Sequence, residues 1–255
     1  MTIAVILGTR PEIIKMAPII RECERRELDY FVLHTGQHYS HQMDSIFFEQ
    51  LEIPAARYNL DVGSASHAEQ TGRIMAGVEN VLMDEKPDIV LVQGDTNTVL
   101  AGALAASKLH IKVGHVEAGL RSYDRTMPEE INRVVADHIS DYLFAPTENS
   151  RENLRREGIA EGKIWVTGNT IVDAVYQNLE IAKRKVNVLA DLGLEPKEYF
   201  LGTAGLPKSP AAGPGSHSHH HPPPLHSPLG RLHPIHEIGA HNREGHSQRA
   251  HGEEW

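Results

Sequence analysis

An α/β fold built on a doubly wound parallel sheet is the class this sequence predicts, and three observations carry it. Short β-branched apolar runs alternate with longer stretches of helical spacing. The runs are apolar on both faces, as strands covered by helices on each side must be. Unusual polar residues follow the runs directly, where loops at the carboxyl ends of such strands hold ligands. All three observations hold only for residues 1–204. Past Gly205 neither apolar period is present: ten of the 17 histidines fall after residue 216, and eight of the 15 prolines lie between Pro207 and Pro234. A run such as Ser216-His217-Ser218-His219-His220-His221-Pro222-Pro223-Pro224 buries too little apolar surface to offset its ordering entropy, so 205–255 is expected to be a disordered tail.

The first strand is Ile3–Leu7 (IAVIL), and Gly8-Thr9-Arg10-Pro11-Glu12 follows it. Thr9 with Glu12 matches a capping box, the plain reading of Glu12, and Pro11 suits a first helical turn. Arg10 and Lys15 beside the free amides of that helix N-terminus make a seat for phosphate or diphosphate; otherwise they are solvated surface charge. Tyr30–His34 is the second strand, leading into Gly36-Gln37-His38. Ile74, Met75, Val78, Val81 and Leu82 keep helical spacing until Pro87 stops the helix. Asp88–Gln93 is the next strand, and Gly94-Asp95-Thr96-Asn97-Thr98 follows it. There Asp95 is either an N-cap or an acid/base group.

A helix over Thr98–Leu109 precedes the strand Lys112–Val116, which runs into Glu117. Alternation along it sends His115 and Glu117 to one face. Carboxylates at neighbouring strand tips, Asp95 and Glu117, suit acid/base work, while Glu117 with Arg121 would be a merely structural pair. Pro128-Glu129-Glu130-Ile131-Asn132-Arg133 starts a helix on which Glu129 and Arg133, four apart, are placed to pair. Tyr142–Ala145 and Ile164–Val166 are strands, Thr170–Lys185 is a helix, and Tyr199–Leu201 opens a further unit. The expected organisation is a Rossmann-like domain over 1–170, a linker helix and first strand of a second domain over 171–204, and the His/Pro-rich tail.

Composition narrows the function classes. With 40% hydrophobic and 23% charged residues the chain reads as soluble and globular, and no apolar stretch nears the roughly 18 residues of a membrane helix. Ile3–Leu7 is too short for a signal-peptide core, and no basic region precedes it. A single cysteine, Cys23, excludes an internal disulfide and a thiol metal site and points to the cytoplasm. The balance of 25 Lys+Arg against 34 Asp+Glu, net −9, argues against nucleic-acid binding. The G-x-G-x-x-G fingerprint and the P-loop are both absent, and no His/Glu cluster in 1–204 has metal-ligand spacing, so no cofactor and no metal is expected. His219–His221 would bind nickel or zinc only weakly, with no closed site.

Gly8-Thr9-Arg10-Pro11-Glu12, Thr35-Gly36-Gln37-His38, Val92-Gln93-Gly94-Asp95-Thr96 and His115-Val116-Glu117-Ala118-Gly119-Leu120-Arg121 together resemble the non-hydrolysing UDP-N-acetylglucosamine 2-epimerase family. Pro128 to Arg133, Ala145-Pro146-Thr147-Glu148 and Val166-Thr167-Gly168-Asn169-Thr170 continue the likeness in order and spacing along about 200 residues. The resemblance implies two Rossmann-like domains of the glycosyltransferase-B type, with the sugar nucleotide between them. It implies interconversion of UDP-GlcNAc and UDP-ManNAc without a nicotinamide cofactor. The C2 proton is removed and UDP expelled to give a 2-acetamidoglucal, then UDP is added back with C2 protonated from the other face. Carried onto matching positions, Asp95, Glu117 and Glu129 are the catalytic candidates, and Arg10, Lys15, His115 and Arg133 the substrate-binding ones. A homodimer is a further implication.

After Tyr199-Phe200-Leu201 the family continues with Thr-Ala-His-Arg, whereas this chain reads Thr203-Ala204-Gly205-Leu206. A shifted reading frame or a gene truncation is the expected cause, and half a cleft would leave activity lost or impaired. The alternatives are a non-catalytic nucleotide-sugar-binding half-domain, a half completed in trans by a separate second domain, and a transferase of the glycosyltransferase-B type.

Overall fold

The structure is a computed structural model that describes residues 1–37 and 41–195, without side chains at 41–45. His38, the expected strand Tyr199–Leu201 and the expected tail 205–255 lie outside the described residues. Strand and helix alternate along the chain: β1 (Thr2–Leu7), α1 (Arg10–Arg25), β2 (Asp29–His34), α2 (His41–Gln50), β3 (Tyr58–Asn59), α3 (His67–Glu85), β4 (Ile89–Gln93), α4 (Asn97–Lys108) and β5 (Lys112–Val116). There follow α5 (Pro128–Ile139), β6 (Tyr142–Ala145), α6 (Glu148–Arg156), β7 (Ile164–Val166), α7 (Thr170–Lys185) and α8 (Val188–Leu192).

All seven strands pair in parallel, in the order β3-β2-β1-β4-β5-β6-β7. The order reverses between β1 and β4, so the chain leaves those two strands in opposite directions and opens a crevice at their carboxyl ends. This is the Rossmann-like sheet the alternation predicts. Strand periodicity divides β1 between two cores. Ala4 and Ile6 pack with Leu33, Val90, Val92 and the α3 residues Ile74, Val78 and Leu82, while Ile3, Val5 and Leu7 meet Ile13, Met16 and Ile20 of α1 and Phe48 of α2. Further along, Leu154 of α6 closes a third cluster over Leu143 and Ala145. On the α1 side, Arg21 reaches α7, where Nη1 donates to Gln177 Oε1 at 2.5 Å and Nη2 to Asn178 Oδ1 at 3.2 Å. Ala174 and Ile181 of α7 are buried, whereas Val172, Val175, Tyr176 and Leu179 form an exposed row.

Helix α3 begins well ahead of Ile74, because Ser66 caps it by accepting the Glu69 amide. Gly8 is required by crowding rather than by backbone conformation. A Cβ there would fall on the hydroxyls of Thr35 and Thr98, which share a 2.8 Å hydrogen bond. Thr98 in turn donates to Gln37 Oε1 at 2.8 Å. The tips of β1 and β2 and the start of α4 are thereby locked together.

Candidate active site at the carboxyl edge of the sheet

Behind the first loop, Glu12 is buried and ties two strand tips together. Its Oε2 accepts the Gly8 amide at 2.9 Å and its Oε1 accepts the Thr96 hydroxyl at 2.7 Å. The expected capping box is corrected in one half: Thr9 is the N-cap of α1 but its side chain caps no amide, whereas Glu12 is drawn to the backbone of Thr9 as well as to Gly8 and reaches across to the loop after β4. Burial pushes the Glu12 carboxyl above its ordinary value, against the opposing pull of the Thr96 and Gly8 bonds. Arg10, the first residue of α1, lays its guanidinium over the Phe47 ring, 5.0 Å from the centroid.

The next turn of α1 carries Lys15, whose Nζ donates to Glu117 Oε2 at 2.6 Å; the same oxygen accepts Gln93 Nε2. Two expectations for this carboxylate are overturned. Strand β5 ends at Val116, and Glu117 takes a left-handed backbone (φ 71°), which breaks the alternation. His115 therefore meets α5 through Asp137, and Glu117 turns to α1 on the opposite face. The structural pair of Glu117 with Arg121 does not form either, because Arg121 is taken by Asp137 and Glu157. A non-glycine residue held at positive φ at a strand tip is a known mark of functional turns.

Asp95 is not an N-cap. Thr96 holds that place on α4, accepting the Val99 amide, and half-buried Asp95 is an ion-pair partner of Arg133. Nor does Arg133 pair with Glu129: its Nη1 donates to Glu130 Oε2 at 2.6 Å. The two neighbouring glutamates divide into different jobs. Buried Glu130 accepts the amides of Ser122 and Tyr123 at 3.0 and 3.1 Å. Burial alone would raise its pKa, but these bonds, the Ser122 hydroxyl and Arg133 bring it down to about 2. Glu129 is exposed and lines a cavity of about 280 Å³.

That cavity opens at the carboxyl edge, and Asp95, Gln37, Gln70, Asn97 and Asn132 also line it. Its wall is a relay of amides. Asn132 Nδ2 donates to the Asp95 carbonyl at 2.9 Å, Asn97 Nδ2 to Gln70 Oε1 at 2.8 Å, and Gln70 Nε2 to the Gln37 and Gly63 carbonyls. The structure thus gathers Asp95 and Glu129 in one cavity, with Arg133 paired to Asp95. Lys15 and Glu117 form a separate pair one strand along. Gln93 and Val116 stand opposite each other in the β4–β5 ladder, so the two carboxylates follow adjacent strand tips. His115 is wholly buried and does not line the cavity; its Nε2 meets the carbonyl of Gly94, the residue before Asp95. Gln70, Asn97, Asn132 and Glu130 escaped the sequence reading. Asn97, Asn132 and Glu130 stand inside the motifs it used, and the Ser66–Glu69 capping signal would have placed Gln70 near the site.

An α/β protein of the doubly wound class, with carboxylates and cations at the switch point of its sheet, is what this fold and site define. Among the described residues no group of His, Cys, Asp and Glu could hold a metal ion, and no helix is long and apolar enough to cross a membrane. A family model described as UDP-N-acetylglucosamine 2-epimerase matches residues 21–205, and the chain belongs to that family. It is 64% identical over 205 residues to the UDP-N-acetylglucosamine 2-epimerase of Methanocaldococcus jannaschii, a match covering 80% of this chain and 56% of that protein. The UDP-2,3-diacetamido-2,3-dideoxy-D-glucuronate 2-epimerase of Pseudomonas aeruginosa is 47% identical over 204 residues, 79% of this chain and 56% of that one. Among solved structures, the M. jannaschii UDP-GlcNAc 2-epimerase in complex with UDP-GlcNAc and UDP superposes with a TM-score of 0.73 at 63% identity, over 76% of this chain and 53% of that chain. The chain spans about half the length of the curated relatives it matches.

Proposed function

We propose that this chain carries the proton-transfer half of a UDP-N-acetylglucosamine 2-epimerase site, interconverting UDP-GlcNAc and UDP-ManNAc by elimination and re-addition of UDP. The observation that carries the reading is the placement of Asp95, Glu117 and Glu129 at the carboxyl edge, with Arg133 and Lys15 each paired to one of them. Removing a proton at C2 and returning one from the other face calls for carboxylates on two sides of the sugar ring. Asp95 and Glu117, after adjacent strands and turned toward opposite helix layers, suit that division, with Glu129 at the cavity rim. Expelled UDP is an anion, and Arg10 and Lys15 in the first two turns of α1, with the free amides there, would stabilise it.

Relatives carry about as much chain again beyond the matched segment, and one wall of a cleft neither excludes water from a glycal nor fixes a diphosphate. The matched segment by itself is therefore expected to bind UDP with turnover lost or strongly impaired. The protein is incubated with UDP-GlcNAc in heavy water, with UDP affinity measured in parallel. Deuterium at C2 supports the proton-transfer roles directly, and UDP binding without exchange leaves the nucleotide-sugar-binding half alone. Absence of both removes the reading. A homodimer belongs to the same proposal, since the exposed row on α7 is apolar surface that a second copy would cover. Buried, unpaired Cys23 suits a reducing compartment such as the cytoplasm.

A further inference from the structure

The His115 ring is wholly buried and meets two acceptors. Nδ1 lies 2.6 Å from Asp137 Oδ1, and Nε2 lies 2.8 Å from the Gly94 carbonyl oxygen. A carbonyl oxygen only accepts, and so does an ionised carboxylate. Two such bonds need two ring N–H groups, and a neutral imidazole has one. The remaining possibility, a neutral Asp137 donating to the ring, is disfavoured by what its other oxygen holds. Asp137 Oδ2 accepts the Gly119 amide at 3.1 Å and pairs with Arg121 Nη1 at 2.7 Å, where both side chains are out of solvent. A buried guanidinium favours the ionised acid.

We infer that His115 is held as a charged imidazolium at neutral pH, clamped by Asp137, and that this buried pair positions the two turns bearing Asp95 and Glu117. The charged groups around the ring balance. Asp137 comes from α5, Arg121 follows β5, Glu157 at the end of α6 holds the far side of Arg121, and Asp95 lies one residue past the Gly94 carbonyl in its own pair with Arg133. Two cations and two anions, His115, Arg121, Asp137 and Glu157, form a compensated set, the condition under which buried charge is tolerated. Burial pulls the imidazole down, but Asp137 and the Gly94 carbonyl outweigh it and hold it above its ordinary value. Each end of the pair grips one turn. The ring fixes the carbonyl of Gly94, whose amide donates to Val116 at 3.1 Å, and Asp137 fixes the amide of Gly119, two residues past Glu117. What the pair contributes to catalysis rests on the function proposed above, but its protonation state does not.

The full chain, labelled with nitrogen-15 at its 17 histidines, is studied by NMR at about pH 8, above the ordinary imidazole pKa of about 6.5. The His115 signals are assigned by their loss in His115→Gln. Both ring nitrogens are expected to carry slowly exchanging protons, and a ring with a single proton overturns the inference. In Asp137→Asn the ring is expected to lose one proton, and the Gly94 amide to exchange about tenfold faster or more while the β1–β2 amides keep their rates. A Gly94 amide exchanging at the wild-type rate refutes the positioning role. Should that variant fail to fold, Gly94 exchange in the wild type is followed as pH rises past the ring's titration. An acceleration beyond that of the β1–β2 amides supports the positioning role, and a rate that merely tracks theirs refutes it. No readout here uses UDP-GlcNAc, so failure of the epimerase reading leaves these results standing.

Discussion

Glu129 and Glu130 sit side by side in sequence and differ in almost everything physical. One is exposed at the cavity, and the other is buried under two amides, a hydroxyl and a guanidinium. The carboxyl of Glu130 falls to about 2 in the folded protein, below an unfolded value of about 4.3. A depressed carboxylate stabilises the fold above its unfolded pKa, and that contribution is lost as pH falls through the folded one. Glu130→Gln is therefore expected to cost about 2 to 3 kcal/mol at neutral pH. Urea titrations should show the deficit unchanged at about pH 5 and shrinking only in stronger acid. A deficit that is constant down to about pH 3 would contradict the assignment. The sequence made the pair of glutamates visible as a helix start but not their division of labour. That depends on where the loop 117–127 folds back, and Ser122 and Tyr123 carry no periodic signal.

At the scale of elements, strands were the most legible part, because each is a compact apolar run bounded by turn residues. Helices α2 and α6 and the short strand β3 were not. Strand β3 has only two residues, and α6 is polar enough that Leu154 alone marks its buried side against the third cluster. Where the alternation rule failed, at Glu117, a backbone at φ 71° was the cause, and no local pattern announces such a residue. Gly119 is tied to the same turn: a Cβ there would fall on the Ser150 carbonyl of α6, and its φ is +79°. Helix α7 shows both sides of amphipathicity at once, with Ala174 and Ile181 buried while Val172, Val175, Tyr176 and Leu179 face outward. The paired substitutions Val175→Glu and Leu179→Glu are expected to lower self-association at least tenfold by sedimentation, with little loss of stability because both sites are exposed. Unchanged association, or none in the unsubstituted protein, would remove the α7 interface proposed above.

For the molecule as a whole, the alternation implied a doubly wound parallel sheet but no strand order, and the crevice between β1 and β4 follows from the order the structure shows. Which groups would meet inside the crevice was only half implied. Sequence spacing put cations and carboxylates at the carboxyl edge and left Glu117 with Arg121 and Glu129 with Arg133 as structural alternatives, and the fold forms neither pair. With a net charge of −9, the protein offers a polyanion no general attraction, and the lysine nearest the α1 amides is already engaged by Glu117. Glu117→Gln is accordingly expected to bind UDP more tightly than the wild type, by a few-fold in calorimetry, since it frees Lys15 from an internal rival. Equal or weaker affinity would show that the two anions do not compete for that ammonium. The 2.6 Å contact between Lys15 and Glu117 has one more consequence. An arriving diphosphate that draws the ammonium away uncovers the carboxylate, so the proton acceptor proposed above would stay sheathed until its guest has docked.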